Sequence, residues 1–197
     1  MPLLGPNDPL PDLPRRVLVA GTSGSGKTTL AARVGAELGV PHVEIDALYH
    51  GPDWTPRPTF ETDVHRFSAE QGWVTEWQYG LVRAHLAERA DLLIWLDLPR
   101  TRVMRQVVRR TLRRRLRRER LWNGNVEPPL WTIFTDREHI VRWAWNTHAK
   151  TAARVSAVLD ARPELMVVRL RDRAETAHWL GGPLRVAAGT VPHDSGA

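Results

Sequence analysis

The residues best suited to do chemistry lie in one stretch near the amino end, at positions 21–29. They read Gly-Thr-Ser-Gly-Ser-Gly-Lys-Thr-Thr, with four residues between Gly21 and Gly26 and with Lys27 and Thr28 directly after. Glycines at this spacing let the backbone turn tightly and direct its N–H groups at anionic oxygens. A lysine then reaches the β- and γ-phosphates of a nucleotide, and a threonine hydroxyl binds Mg²⁺. The pattern predicts a phosphate-binding loop.

The nucleotide-binding residues predicted from this motif are Gly21, Thr22, Ser23, Gly24, Ser25, Gly26, Lys27, Thr28 and Thr29. Lys27 is also predicted to be catalytic, because its charge would meet the transferring phosphoryl group, and Thr28 is predicted to bind the metal. The cofactors expected are ATP and Mg²⁺, and GTP stays open because no guanine-reading segment is evident.

The sequence on either side of the loop predicts the two elements that the motif requires. Residues 16–20 are a short apolar run, which is typical of a buried strand. Leu30, Val34 and Leu38 recur at helical spacing after the loop, and Gly39 is a plausible helix end. The amino end of that helix would add its positive dipole to anion binding.

Two aspartates follow further predicted strands. Asp46 ends the strand predicted at 42–46, and Asp97 ends the one at 92–97. Because carboxyl ends of parallel strands meet at one edge of a sheet, both are expected beside the loop. Asp46 is predicted to contact the phosphoryl acceptor and take its proton, whereas Asp97 is predicted to hold the metal or its waters. Asp97 fits equally well as a helix cap, because Pro99 follows it.

Arginines crowd the segment 100–120. An apolar stripe at helical spacing is formed by Val103, Val107, Leu112 and Leu116. The segment is therefore predicted to be helical, and its basic face has three interpretations: a solvated surface, a nucleic-acid patch, or a mobile lid that closes on transferring phosphates. Its position directly after a predicted strand favours the lid. Arg105, Arg109 and Arg113 are spaced about one turn apart and are the predicted catalytic arginines.

The composition of the 197-residue chain limits the class of protein. It is 42% hydrophobic and 25% charged, which is ordinary for one globular domain, and its net charge is +6. No cysteine is present, so disulfides and thiolate metal sites are excluded. No apolar run is long enough to cross a bilayer, and no signal peptide pattern opens the chain, so a cytoplasmic protein is expected.

The order of predicted elements indicates an α/β fold of three layers, in which helices cover a five-stranded, mostly parallel sheet. The strands are predicted at 16–20, 42–46, 73–76, 92–97 and 165–170. The later helices are predicted near 59–71, 79–89, 100–120, 135–160 and 173–180. Residues 1–14 are expected to form an extended or disordered lead-in, 15–180 the domain, and 181–197 a loose tail.

The motif order resembles that of the small bacterial P-loop kinases known as adenylate-kinase-like or DNA topology modulation proteins. Besides the loop, the resemblance rests on Ile45-Asp46-Ala47-Leu48-Tyr49, Trp54-Thr55, Trp95-Leu96-Asp97-Leu98-Pro99, Val107-Val108-Arg109-Arg110-Thr111, Leu121-Trp122-Asn123-Gly124-Asn125 and Trp143-Ala144-Trp145-Asn146-Thr147-His148. It implies a nucleoside-monophosphate-kinase-like fold with an acceptor-binding region at about 46–90 and an arginine lid at about 100–127. The acceptor that it implies is a nucleoside monophosphate.

The chain departs from this family after the third predicted strand. Members usually carry Asp-Gly-Asn-Tyr there, whereas this chain has Glu76-Trp77-Gln78-Tyr79. The glutamate keeps the charge, but the tryptophan adds bulk near the expected acceptor pocket, which leaves the acceptor and kinase activity itself open. The resemblance implies acceptor binding by Asp46, Glu76, Tyr79 and Arg83, although Arg83 fits a surface salt bridge equally well.

The loop after the last predicted strand flanks adenine in related kinases, so the resemblance also implies nucleotide binding by Arg171 and Arg173. Ordinary turn charges before a helix explain these two residues equally well.

The function predicted from these features is transfer of the γ-phosphoryl group of MgATP to a small acceptor, either a nucleoside monophosphate or a non-nucleotide metabolite. The expected partners are thus a nucleotide and a small molecule, with no membrane. Two alternatives stay open: a nucleotide-dependent protein that binds nucleic acid through its arginines, and a degenerate kinase that signals by lid closure.

Overall fold

A parallel sheet built from the apolar runs of the sequence forms the centre of the molecule. The computed structural model describes residues 3–116 and 140–189, without the side chains of 114–116 and 140–149. Its strands are β1 (Leu3–Leu4), β2 (Arg16–Gly21), β3 (His42–Val43), β4 (Trp73–Glu76), β5 (Leu92–Leu96) and β6 (Met166–Leu170). All pairings are parallel, in the order β1-β6-β5-β2-β4-β3, so β2 lies between β5 and β4.

Helices connect the strands and cover both faces of the sheet. They are α1 (Lys27–Leu38), α2 (Ile45–Tyr49), α3 (Phe60–Ser68), α4 (Gly80–Arg89), α5 (Arg100–Leu116), α6 (Ile140–Ala161), α7 (Arg173–Trp179) and α8 (Arg185–Gly189). A 3₁₀ turn spans Pro52–Trp54, and a π-helical turn spans Leu180–Leu184. None of the helices in the described part of the chain is both long enough and apolar enough to span a membrane.

The alternation of side chains along β2 shows why the molecule has three layers. Val17 and Val19 enter one apolar cluster, which includes buried residues of α1 and α5. Leu18 and Ala20 enter the other, which includes buried residues of α3, α4 and α6. Because successive side chains of a strand point to opposite faces, each face of the sheet has its own core. The predicted α/β architecture is confirmed.

The prediction of five strands is wrong, because the segment expected to be a lead-in supplies a sixth. Leu3 and Leu4 pair with Val167 and Val168 of β6 at the edge of the sheet. Leu4 also packs against the core of one face. Two apolar residues between prolines are too short a run to stand out in the sequence. Part of the segment predicted to be a loose tail is helical as well, over Leu180–Leu184 and Arg185–Gly189, and Leu184 is fully buried.

The second predicted strand is shorter than expected, and Asp46 lies in a helix instead of at a strand end. The strand stops at Val43, and α2 begins at Ile45, so Asp46 occupies the first turn of α2. The backbone N–H of Ile45 donates to Glu76 Oε2 at 3.1 Å. This bond draws the chain away from the sheet ladder after two residues.

The strand register brings the functional elements to one edge. Val19 is level with Glu76 of β4, and Gly21 is level with Leu96 of β5. The phosphate-binding loop, the end of β4 and the end of β5 therefore meet at the carboxyl edge of the sheet, where open α/β sheets bind their ligands. The Asn123-Gly124 turn and the predicted lid residues beyond 116 lie outside the described residues.

Candidate active site

The loop between β2 and α1 has the backbone of an anion-binding turn. Gly24 and Gly26 adopt φ angles of 79° and 98°, in the left-handed region that favours glycine. A Cβ atom built on Gly24 would lie 2.2 Å from Val107 Cγ2, so α5 packs directly against the loop. Two glycines of the motif are thus required by geometry, and one of them also by packing.

Lys27 is a buried cation at the first position of α1. Its side chain is only 8% exposed, and Nζ donates to the carbonyl of Thr22 at 3.3 Å. Burial lowers the pKa of Lys27, the negative charges of Asp46 and Glu76 act in the opposite direction, and the Arg110 charge lowers it further. A buried ammonium group with a neighbouring guanidinium is an environment that a polyanion would stabilise.

Ser25 contributes a second indication that the loop accepts a ligand. Its hydroxyl oxygen is buried and has no hydrogen-bond partner among the described residues. A buried hydroxyl without a partner is costly, and a ligand oxygen would satisfy it. The loop therefore fits the phosphate group that its sequence predicts.

Glu76 lies beside the hydroxyl that is predicted to bind the metal. It is 1% exposed and accepts hydrogen bonds from the Ile45 N–H, from His42 Nε2 at 3.2 Å and from the Thr28 hydroxyl. Burial acts to raise the pKa of Glu76, but these hydrogen bonds together hold it below the ordinary value. Glu76 is therefore a buried carboxylate that stays ionised. The sequence prediction placed it in acceptor binding and missed its contact with Thr28.

Asp46 is the acid that the structure places near Lys27. One of its oxygens, Oδ1, accepts from Gln78 Nε2 at 2.5 Å and from the Tyr79 hydroxyl at 2.6 Å. Burial raises the pKa of Asp46, whereas the Tyr79 bond and the Lys27 charge lower it, and the raised value prevails. A carboxylate with a raised pKa is a better proton acceptor than an ordinary aspartate.

Tyr79 has an unusual backbone for an aromatic residue. Its φ angle is 60° with ψ at 113°, and α4 begins at the next residue. Its ring stacks on Tyr49 with 4.0 Å between ring centroids and meets Phe60 edge-on at 5.3 Å. The hydroxyl lies between Asp46 and His50 Nε2, the latter at 3.2 Å.

Trp77, in the segment that departs from the family pattern, lies in an apolar core. It is 7% exposed and packs in the apolar cluster that includes α4. Its indole N–H donates to the carbonyl of Arg83 at 3.0 Å, which ties the end of β4 to the first turn of α4. Its effect on the acceptor pocket remains a prediction.

Asp97 accepts from Arg169 Nε at 2.8 Å and from a second nitrogen of the same guanidinium. The Arg169 guanidinium also lies 4.8 Å from the centroid of the Trp95 ring. Helix α5 begins at Arg100, after Pro99, so Asp97 does not cap it. The acid that contacts Thr28 is Glu76, and the assignment of Asp97 to the metal remains a prediction without a supporting contact.

The inner face of α5 differs from the predicted stripe. Val103, Val107 and Thr111 are buried, whereas Leu112 is 39% exposed. The buried residues of α5 thus recur every four positions. The side chain of Leu116, the last residue of the predicted stripe, is outside the described part of the structure.

The three predicted catalytic arginines, Arg105, Arg109 and Arg113, are all exposed. The arginine close enough to Lys27 to lower its pKa is Arg110, which the sequence did not single out. The catalytic role of the three exposed arginines remains a prediction.

The remaining predicted residues lie at helix starts. Arg83, in the first turn of α4, is half-buried, and its pKa is lowered by burial and by the Arg154 charge. Asp172 caps α7 by accepting from the Glu175 N–H at 2.9 Å. Arg171 and Arg173 on either side of this cap are exposed, and no contact tests their assignment to the nucleotide.

In the described part of the chain, no group of three or more His, Asp or Glu side chains converges to form a separate metal site. The oxygen atoms beside the loop come instead from the Thr28 hydroxyl and the Glu76 carboxylate. Oxygen ligands suit Mg²⁺, so the residues present fit the predicted metal.

Comparison with solved structures identifies the fold. A gluconokinase from Sinorhizobium meliloti 1021 matches 90% of this chain and 96% of its own, at 20% identity and a TM-score of 0.52. A shikimate kinase from Bacteroides thetaiotaomicron matches 85% and 95%, at 14% identity and a TM-score of 0.43. A shikimate kinase from Acinetobacter baumannii, solved with shikimate, matches 89% and 89%, at 14% identity and a TM-score of 0.44.

No protein-family model matches the sequence, and no curated protein is similar to it. The gluconokinase shows that this chain has the fold of P-loop kinases. The resemblance to P-loop kinases is thereby supported at the level of the fold, and the adenylate-kinase-like subtype is not.

Proposed function

We propose that this protein is a kinase that transfers the γ-phosphoryl group of ATP to a hydroxyl group of a small molecule. The observation that carries the proposal is Asp46, a carboxylate with a raised pKa that lies near the buried Lys27 of the phosphate-binding loop. Lys27 and the loop N–H groups would hold the phosphates. Asp46 would stand on the acceptor side of the same site.

The presence of Asp46 favours a hydroxyl acceptor over a nucleoside monophosphate. A phosphate monoester already offers an ionised oxygen, whereas an alcohol must lose a proton as it attacks. In the proposed step the acceptor oxygen bonds to the γ-phosphorus, the bond to the β-phosphate oxygen breaks, and the alcohol proton moves to Asp46. The fold shared with a gluconokinase is compatible with such an acceptor but does not identify it.

The residues that would hold the metal are Thr28, through its hydroxyl, and Glu76, which accepts a hydrogen bond from that hydroxyl and would accept others from water bound to the metal. When bound, Mg²⁺ neutralises charge on the phosphates and aligns them. The lowered pKa of Glu76 keeps its carboxylate ionised for this purpose. Asp97, which is paired with Arg169, is assigned no part in the proposed step.

We propose that the acceptor-binding region lies at residues 46–90 and the lid within about 100–127. The inner face of α5 is packed on the core by Val103, Val107 and Thr111. Arg110 of the same helix lies near enough to Lys27 to lower its pKa, and it would meet the transferring phosphate there.

The test is a panel of acceptors with MgATP, scored by ADP formation. Small alcohols, sugars and hydroxy acids form one half, and nucleoside monophosphates form the other. We expect turnover with a member of the first half, and loss of that turnover in Lys27→Ala and Asp46→Asn. Turnover with nucleoside monophosphates alone, unaffected by Asp46→Asn, would contradict the proposed acceptor class.

A further inference from the structure

Two neighbouring residues, Gln78 in the place of the family's Asn and Tyr79, which matches the family's Tyr, contact a single atom of Asp46. Gln78 and Tyr79 both donate to Asp46 Oδ1, at 2.5 Å and 2.6 Å. Neither contact was anticipated from the sequence, since Gln78 had no assigned role and Tyr79 was expected to touch the acceptor. We propose that Gln78 and Tyr79 are positioning residues that hold one oxygen of Asp46 and leave the other, Oδ2, to take the acceptor's proton.

The hydrogen-bond donors fix the direction of this small network. An ionised carboxylate can only accept, so the single hydroxyl hydrogen of Tyr79 points to Asp46. The oxygen of Tyr79 must then accept from His50, whose Nε2 lies 3.2 Å away and carries the hydrogen. A chain of donors thus runs from His50 through Tyr79 to Oδ1, and each bond polarises the next.

The backbone and ring of Tyr79 hold its hydroxyl in place. A φ angle of 60° is rare for a bulky residue and persists only where the surroundings enforce it. The stacking on Tyr49 and the burial of Trp77 two residues earlier supply that enforcement. The strain therefore lies at the residue that contacts the proposed base.

Gln78 is held by its own backbone in a similar way. Its N–H donates to the Glu76 carbonyl at 3.1 Å, while the N–H of Trp77 extends the sheet ladder by donating to the carbonyl of Val19 at 2.9 Å. The chain thus leaves β4 in a tight turn that aims the Gln78 amide at Asp46. Glu76, which precedes this turn, contacts Thr28 instead. Residues 76–79 therefore contact both the residue predicted to bind the metal and the proposed base, Asp46.

The charged and titratable groups that face Asp46 are Lys27 of α1, Glu76 of β4, His50 after α2, and Tyr79. Lys27, His50 and the Tyr79 bond favour the ionised form of Asp46, whereas burial and Glu76 oppose it. Removing a hydrogen bond to Oδ1 therefore destabilises the carboxylate. A variant that lacks this bond should need a higher pH to ionise Asp46.

The inference rests on the proposed function, and its test separates the two. The carboxyl carbon of Asp46 is followed by ¹³C NMR against pH, with the signal assigned by its absence in Asp46→Asn. In Tyr79→Phe and in Gln78→Met, we expect the titration midpoint to move to higher pH. Tyr49→Phe, which removes a neighbouring hydroxyl group but keeps the ring that stacks on Tyr79, is the matched control and should leave the midpoint unchanged.

Kinetics with the acceptor found in the panel complete the test. We expect Tyr79→Phe and Gln78→Met to lower kcat by about 10²-fold, the usual effect of a misplaced catalytic group, with KM for MgATP unchanged. The acid limb of the kcat profile should move to higher pH, as the NMR midpoint does.

Two results would overturn the inference. An unshifted Asp46 midpoint in both Tyr79→Phe and Gln78→Met would show that these residues do not hold the carboxylate. If the midpoint shifts but Asp46→Asn retains full turnover, the proposed base is wrong and the positioning role falls with it. A shift in Gln78→Met alone, with Tyr79→Phe unfolded by circular dichroism, would still support the inference.

Discussion

At the scale of residues, the site depends on two acids, the buried Glu76 and the partly buried Asp46, whose environments shift their pKa values in opposite directions. Hydrogen bonds hold the pKa of Glu76 below its ordinary value against the effect of burial, whereas burial holds that of Asp46 above it. The first acid therefore stays charged beside Thr28, and the second is able to take a proton. When the pKa values of two neighbouring acids are shifted in opposite directions, the two acids commonly have different roles in catalysis.

The ionised carboxylate of Asp46 should destabilise the folded protein, so that replacing it does not lower the stability. Because its pKa is higher in the folded than in the unfolded chain, the folded state binds more protons between the two values. The free energy of unfolding therefore falls as pH rises through that window and stays lower above it. At neutral pH we expect Asp46→Asn to be at least as stable as the wild type in urea unfolding, while its turnover falls by about 10²- to 10⁴-fold.

The free energies of unfolding of the wild type and Asp46→Asn should also be compared at acidic pH. Below the ordinary pKa of aspartate the two proteins should converge in stability, because Asp46 is then protonated in both the folded and the unfolded state. Glu76→Gln is the contrasting variant, since the lowered pKa of Glu76 contributes stability that is lost as pH falls. A destabilised Asp46→Asn at neutral pH would show that the carboxylate is not strained by burial.

At the scale of elements, the contact between α5 and the phosphate-binding loop fixes the amino half of α5. Val107 of α5 approaches Gly24 so closely that no side chain fits between them. Val103, Val107 and Thr111 are all buried, so this half of the helix packs on the core beside the loop.

Gly24→Ala tests this packing. We expect it to lower the free energy of unfolding by about 2 kcal/mol or more, because the new methyl group is strained at a φ of 79° and clashes with Val107. Gly39→Ala is the matched control, since Gly39 also has a positive φ but has open space around it. The difference between the two variants in urea unfolding measures the clash.

Val107→Ala in the background of Gly24→Ala provides the complementary measurement. Alone, this truncation leaves a cavity and should destabilise the protein. Combined with Gly24→Ala it should cost less, because the shortened side chain makes room for the new methyl group. Simple additivity of the two changes would show that α5 does not rest on the loop.

At the scale of the whole molecule, the sequence predicted the fold class and the position of the loop between β2 and α1. The motif at 21–29 and the apolar runs around it are local signals, and the structure contains the loop, β2 and α1 where they were expected. The alternation of strands and helices likewise predicted the parallel sheet. These features follow from spacing along the chain, which a sequence states directly.

The parts that the sequence missed depend on long-range contacts. β1 is two residues long and exists because β6 offers it an edge. Glu76 meets Thr28, and Asp46 meets Gln78 and Tyr79, across more than thirty positions in the chain. Arg110 instead of Arg109 comes near Lys27, because packing of Val107 and Thr111 sets the rotation of α5. None of these pairings has a local signature.

The central proposal, that the loop after β2 binds a nucleotide, is tested by calorimetric titration of the protein with a magnesium-loaded, non-hydrolysable ATP analogue. We expect saturable binding of one nucleotide per chain. Lys27→Ala should abolish this binding, whereas Asp46→Asn should leave it intact because Asp46 is assigned to the acceptor. Absence of binding at millimolar analogue, or equal binding by Lys27→Ala and the wild type, would contradict the proposal.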